Sequence, residues 1–369
     1  MTVTTHSLVV GQQATGTDIT VPVIRFSGQG TGPSTYIQAN VHGAEVQGNA
    51  VIHHLVQVFK KHPPLGDVVL VPMANPLGIN QKSGEFTLGR FDPVSGENWN
   101  RQYHFDPSLV QHLAQTMTQA SELELAQAMR EGIQAQLDTK LASPFGVKSG
   151  QHLALRLQKM ALEADIVLDL HTGPISARHL YVPEYARERA HLFNIPLNIL
   201  IPSDFAGAMD EASFSPWWQL SEAMAQRGRE LPVLVDAFTL ELGSQEYLNV
   251  EDAYWDALGI ARYLQHRRVL PKFELSLPKI TQHACQLADY RAVYSPCGGQ
   301  IEYLASLGQP VDPGQPLARI WHFDALMTGK RESRDLTLPE TVIPVLHFAS
   351  ASVRQGTELF KVLSNTFLL

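Results

Sequence analysis

Residues 163–173 read EADIVLDLHTG, and residues 231–243 read LPVLVDAFTLELG. Each holds a continuous apolar run instead of the alternating pattern of a strand with one wet face. Strands of that kind belong to parallel sheets covered on both sides. Helix-length segments lie between such runs. VPVIRF and STYIQA read as strands, and AEVQGNAVIHHLVQVFKK carries apolar residues at helical spacing. GDVVLVPMANP is a β-rich run closed by Asn75-Pro76, a turn signal. Residues 107–141 are rich in the strong helix formers Ala, Leu, Gln, Glu and Met. NVEDAYWDALGIARYLQHRR reads as an amphipathic helix with Asn249 as its N-cap. The alternation predicts an α/β fold, with a mixed, largely parallel central sheet and helices on both faces.

The pattern changes after RRVLPKFELSLP, where short β-type runs are separated by Gly and Pro turns. A 369-residue chain is long for one domain. We therefore expect a catalytic domain over residues 1–275 and a small all-β domain over 284–369, with a seam near Pro271 to Pro278. Charged residues make up 17% of the chain, below the roughly 25% of ordinary soluble proteins, so a large core is expected. The net charge of -8 argues against a nucleic-acid surface and offers no basic tail to a membrane. Cys285 and Cys297 are too few for a disulfide framework. No basic region precedes a long apolar run at the N-terminus, and no run of 18 apolar residues occurs. A cytoplasmic protein is expected.

The predicted strands end in chemically useful side chains. STYIQANVH delivers His42, with Glu45 just beyond, IVLDLH delivers His171, and FTLE delivers Glu241. In open α/β sheets, ligands bind outside the carboxyl ends of strands. Two histidines and one carboxylate are a common catalytic zinc set that leaves a fourth position for water. The His-x-x-Glu turn supplies two ligands from one piece of backbone, with Gly43 and Ala44 leaving room for metal and substrate. Glu241 is placed to move protons. Asp169 lies two residues before His171 on the same strand face, where it can orient that ligand. The loop GRFDPVSGENWNR carries Arg90, Asn100 and Arg101, which suit carboxylate binding and oxyanion stabilisation. His53 and His54 read as surface residues of a helix.

NVHGAEVQGN, MANPLGIN, GENWNR, VLDLHTG and TLELG occur in the order of the zinc-carboxypeptidase-like superfamily. Within it, residues 20–265 resemble the succinylglutamate desuccinylase/aspartoacylase family. The resemblance implies Zn2+ held by His42, Glu45 and His171, with Glu241 as the catalytic glutamate. It also implies that Asn100-Arg101 hold a substrate carboxylate, that Arg90 polarises the scissile carbonyl, and that Arg178 meets substrate. The implied activity is hydrolysis of the amide of an N-acylated amino acid or similar small carboxylate. The alternatives are a metallocarboxypeptidase acting on peptides and a non-catalytic zinc-containing protein that binds a small acid.

The tail resembles a biotinyl/lipoyl-like barrel sandwich. Residues 280–329 contain no lysine to carry such a cofactor. A lid, an oligomerisation surface or a substrate-shaping module is expected instead, which leaves a homo-oligomer open. Residues 107–150 read as an extra helical insertion, with walling of the pocket as one expected role.

Overall fold

The apolar runs become the inner strands of a ten-stranded sheet. The computed structural model describes residues 2–327 and 332–369; positions 328 and 329 of the lysine-free stretch lie outside the described residues. In chain order the strands are β1 (Val3–Gln12), β2 (Asp18–Phe26), β3 (Thr35–Ala39), β4 (Val68–Val71) and β5 (Ile166–Gly173). They continue with β6 (His179–Pro183), β7 (Leu197–Ile201), β8 (Asp236–Ser244), β9 (His283–Gln286) and β10 (Phe367–Leu368). Their order across the sheet is β1-β2-β4-β3-β5-β8-β6-β7-β9-β10. The centre, β4-β3-β5-β8, is parallel throughout. Every residue of β3 and β5 is buried, the polar Gln38, Asp169 and His171 included.

Side-chain alternation sorts these strands onto two faces. Ile37, Ala39, Leu168, Leu170, Phe238 and Leu240 face one helical layer, α1 (Gln47–Lys61) and α6 (Val250–His266). Asn249 caps α6, its side chain accepting from the amides of Glu251 and Asp252 at 2.9 and 3.1 Å. Tyr36, Val167 and Ala237 point to the other face, covered by α4 (Ser149–Ala161) and α5 (Met209–Ala225). The insertion forms α2 (Ser108–Thr116) and α3 (Glu122–Leu141). Its apolar side chains, among them Leu113, Met129 and Ile133, pack on Trp217, Leu220 and Met224 of α5. The insertion thus thickens the helical layer.

Residues 271–280 have no regular structure. Beyond them, two four-stranded antiparallel sheets enclose a core that includes Val293, Ile320, Leu359 and Phe360. The two-residue strand Ile175–Ser176 joins one of these sheets by pairing with Ile343–His347. The segment just after His171 is thereby tied to the C-terminal β structure. Strands β9 and β10, at the two ends of that region, return to the large sheet. Among the described residues, no helix is long and apolar enough to cross a membrane.

Candidate metal centre

The chain turns sharply where β3 ends. Asn40 takes a left-handed conformation, φ 65°, which Asn tolerates better than most residues. Its buried side-chain amide donates to the carbonyls of His42 and Gly43 at 2.9 and 3.1 Å. Asn75 buttresses the turn by donating to the Val41 carbonyl at 2.8 Å. The same side chain accepts from the Gly78 amide at 2.9 Å. Gly43 donates its amide to the Gly89 carbonyl at 2.7 Å, which brings Arg90 beside Glu45. A Cβ on Gly43 would stand 2.1 Å from the Gly78 carbonyl oxygen. Glycine is therefore required here by the close approach of another backbone, a different reason from the room for metal and substrate expected from the sequence.

His42, Glu45 and His171 converge, their candidate ligand atoms all within 4.8 Å of one another. His42 Nδ1 lies 2.8 Å from Glu45 Oε1, and His171 Nδ1 lies 2.8 Å from Glu45 Oε2. All three residues are buried. The outward nitrogens are also engaged. His42 Nε2 is 2.8 Å from Asn98 Oδ1, and His171 Nε2 is 2.8 Å from Asp169 Oδ2. Asn98 Oδ1 is an acceptor that favours a proton on His42 Nε2 and leaves Nδ1 for a ligand role, whereas Asp169 Oδ2 is a close anionic neighbour of His171 Nε2 without hydrogen-bond alignment. Two imidazoles and a carboxylate, so supported, fit zinc.

The charges are balanced without an ion. Burial alone would raise Glu45, but His42 and His171 hold it well below the usual carboxylate range. Burial would lower His171, but Asp169 and Glu45 hold it well above the ordinary imidazole value. A cation entering this site would compete with that proton.

Glu241 stands on β8 directly opposite His171 in the parallel register, and opposite His179 on β6. One row below, Gln38, Asp169, Thr239 and Tyr181 are neighbours in the same way. Parity thus places two rows of polar side chains on one face of an otherwise apolar sheet. Glu241 is half-buried, with one carboxylate oxygen buried and unpartnered. Burial, with the charge of Glu45 adding, pushes its carboxyl up to about 7.

Asp210, in the first turn of α5, accepts from the Glu211 amide at 2.9 Å. Burial and the Glu211 charge raise it to about 7. The folded state therefore favours the protonated form, and stability is lost as pH rises from about 4 to about 7. Asp210→Asn is expected to remove this loss, by an amount of the order of a few kcal/mol. Denaturant unfolding of the metal-free wild type and variant at about pH 5 and about pH 8 measures it. An equal pH dependence in both proteins would refute it.

Residues 31–267 match the sequence profile of the succinylglutamate desuccinylase/aspartoacylase catalytic domain. The chain belongs to the succinylglutamate desuccinylase/aspartoacylase family. It is 51% identical to a member of this family from Shewanella amazonensis SB2B, whose crystal structure superposes with a TM-score of 0.95 over 99% of this chain and 100% of that one. A second family structure, from Shewanella frigidimarina NCIMB 400, is 49% identical with a TM-score of 0.96, over 99% of this chain and 98% of that one. The N-alpha-acetyl-L-2,4-diaminobutyric acid deacetylase of Halomonas elongata is 24% identical over 306 residues, 79% of this chain and 72% of that protein.

The remaining expected site residues of this family member take different positions. Arg90 is about half exposed and reaches Glu45 Oε1 at 3.1 Å. Asn100 is buried, its amide nitrogen 3.2 Å from His171 Nε2 and its oxygen accepting from the Met209 amide at 3.4 Å. Arg101 is exposed and folds back onto the Asn100 carbonyl at 2.6 Å. Arg178 turns instead to Asp256 on α6, at 2.9 Å. His53 is exposed, and His54 reaches the Val250 carbonyl at 2.8 Å.

Sequence reasoning passed over Asn98, Gln38, Tyr181 and His179. For the last two, the available signal was the i, i+2 alternation of HLY. For Gln38 it was a lone amide inside an apolar strand. Tyr290, from the C-terminal β structure, packs edge-on against Tyr181, with ring centroids 6.1 Å apart.

Proposed function

We propose that this protein is a zinc-dependent amidohydrolase that removes the acyl group from an N-acylated amino acid or a similar small carboxylate. The observation that carries the proposal is the convergence of His42, Glu45 and His171 beside Glu241. Family membership and the name of the Halomonas relative support a deacylase acting on an acylated amino acid. His42 Nδ1, the Glu45 carboxylate and His171 Nδ1 would hold the ion. When bound there, zinc lowers the pKa of water to about 7 and polarises a carbonyl.

The protein's own groups do the rest. Glu241, lifted toward neutrality, takes a proton from the attacking water as the new C–O bond forms. It returns that proton to the nitrogen as the C–N bond breaks, releasing a carboxylate and a free amine. Arg90, held beside Glu45, presents a guanidinium to the oxygen on which charge develops. The exposed Arg101 is free to swing from the Asn100 carbonyl to a substrate carboxylate. Asn100, packed against the His171 ring, keeps the loop that bears Arg101 at the site. Arg178 acts on substrate only by leaving Asp256. The catalytic unit is residues 1–275. The β domain, 284–369, shapes the substrate side through Tyr290.

The test is amine release by the zinc-loaded protein over N-acetyl, N-succinyl and N-formyl amino acids, with short peptides alongside. Hydrolysis of at least one N-acyl amino acid, abolished by chelation, is the expected result. Release of C-terminal residues from peptides alone would make the protein a carboxypeptidase. Binding without hydrolysis of any acylated amine would make it a binding protein.

A further inference from the structure

A chain of buried polar side chains runs beneath the candidate metal centre. The Tyr36 hydroxyl donates to Gln38 Oε1 at 2.9 Å. Gln38 Nε2 donates to Asp169 Oδ1 at 2.9 Å, and more weakly to the Tyr103 hydroxyl oxygen at 3.3 Å. The other oxygen of Asp169 lies 2.8 Å from His171 Nε2. Gln38 and Asp169 are direct neighbours on β3 and β5, although 131 residues separate them in sequence. Tyr36, Gln38 and Asp169 are all fully buried.

Such a chain is costly in a sheet interior unless every link is made. The amide serves both neighbours, accepting from the buried Tyr36 hydroxyl and donating to the buried Asp169 carboxylate. The links are directional. Tyr36 holds the carbonyl end of the Gln38 amide, so the amide's donor end must face Asp169. That donor fixes the rotation of the Asp169 carboxylate. The last link is ionic: the carboxylate stands 2.8 Å from His171 Nε2 without a hydrogen bond's alignment, and its charge holds the ring with Nδ1 toward Glu45. We propose that Gln38 is a positioning residue for the metal centre: through Asp169 it sets the orientation of His171, and so the affinity of the site for a divalent cation. The inference rests on the metal-centre reading proposed above and adds the residue that holds one ligand's support in place. The two imidazoles are then held by unlike means, His42 by the amide oxygen of Asn98 and His171 by a carboxylate that is itself held.

The experiment is a competition titration of the metal-free protein with zinc against a chromophoric chelator, for wild type, Gln38→Leu and Tyr36→Phe. Melting of the metal-free proteins is followed in parallel. Gln38→Leu is expected to weaken zinc binding by about 10- to 100-fold, the usual effect of losing such support. Tyr36→Phe is expected to weaken it in the same direction and by less, while leaving Gln38 itself in place. At saturating zinc, KM is expected to be unchanged. A merely structural role would lower the melting temperature of the metal-free protein and leave the zinc affinity alone. Zinc affinity within about threefold of wild type in both variants would overturn the inference while the metal-centre reading stood. Failure of the wild type to bind zinc, cobalt or manganese would overturn both. If Gln38→Leu does not fold, Tyr36→Phe decides: unchanged affinity there overturns the inference.

Discussion

Glu241→Gln is expected to lower kcat by about 10²- to 10⁴-fold, with KM and zinc content close to wild type. The amide copies the shape of the carboxyl but cannot take a proton from water. Glu241 is the register neighbour of His171, and burial with the Glu45 charge lifts it to about 7. Removing its charge also relieves repulsion with Glu45, so the metal-free variant should melt no lower than wild type. Steady-state kinetics on the best N-acyl substrate, with elemental analysis of the same preparation, measure the outcome. Wild-type turnover in a zinc-replete variant would remove Glu241 from the chemistry. Lost zinc would instead make it a ligand.

His171→Ala carries the second large expectation. It deletes one of three converging donors and leaves Glu45 and Asp169 buried without the imidazole that joins them. Zinc affinity should fall by more than the roughly 10- to 100-fold that loss of an outer support costs. The variant should therefore lie below Gln38→Leu in the same chelator titration. The metal-free protein should also lose stability, because two buried carboxylates lose the imidazole that pairs with them. Circular dichroism at low temperature separates a folded, metal-poor protein from an unfolded one. Full retention of zinc would show that His171 is not a ligand.

Much of the centre was legible because strands announce themselves. Continuous apolar runs located β3, β5 and β8, and their polar ends supplied His42, His171 and Glu241. The Asn249 cap was legible too, since capping depends on residues only a few positions apart. Gly43 was recognised for the wrong reason. Its neighbour is the Gly78 backbone, which no local pattern brings close. Arg178 pairs with Asp256, 78 residues away, a partner that no local pattern announces. The interior strands β6 and β7 went unread because each lies between helical turns and loops that break the pattern around it.

The sequence alone determined which side chains stand at the carboxyl ends of the inner strands. The reason is local: burial on both faces demands largely apolar residues, and the pleat fixes which side each residue meets. Only the tertiary structure decided what supports those side chains. Strand order and register set Gln38 against Asp169, and His179 against Glu241, across pairings distant along the chain. The loop after Arg90 supplies Asn98 to His42, so which nitrogen of that ring faces Glu45 belongs to the fold. Pairings of that kind are made by long-range packing, which no short stretch of sequence encodes.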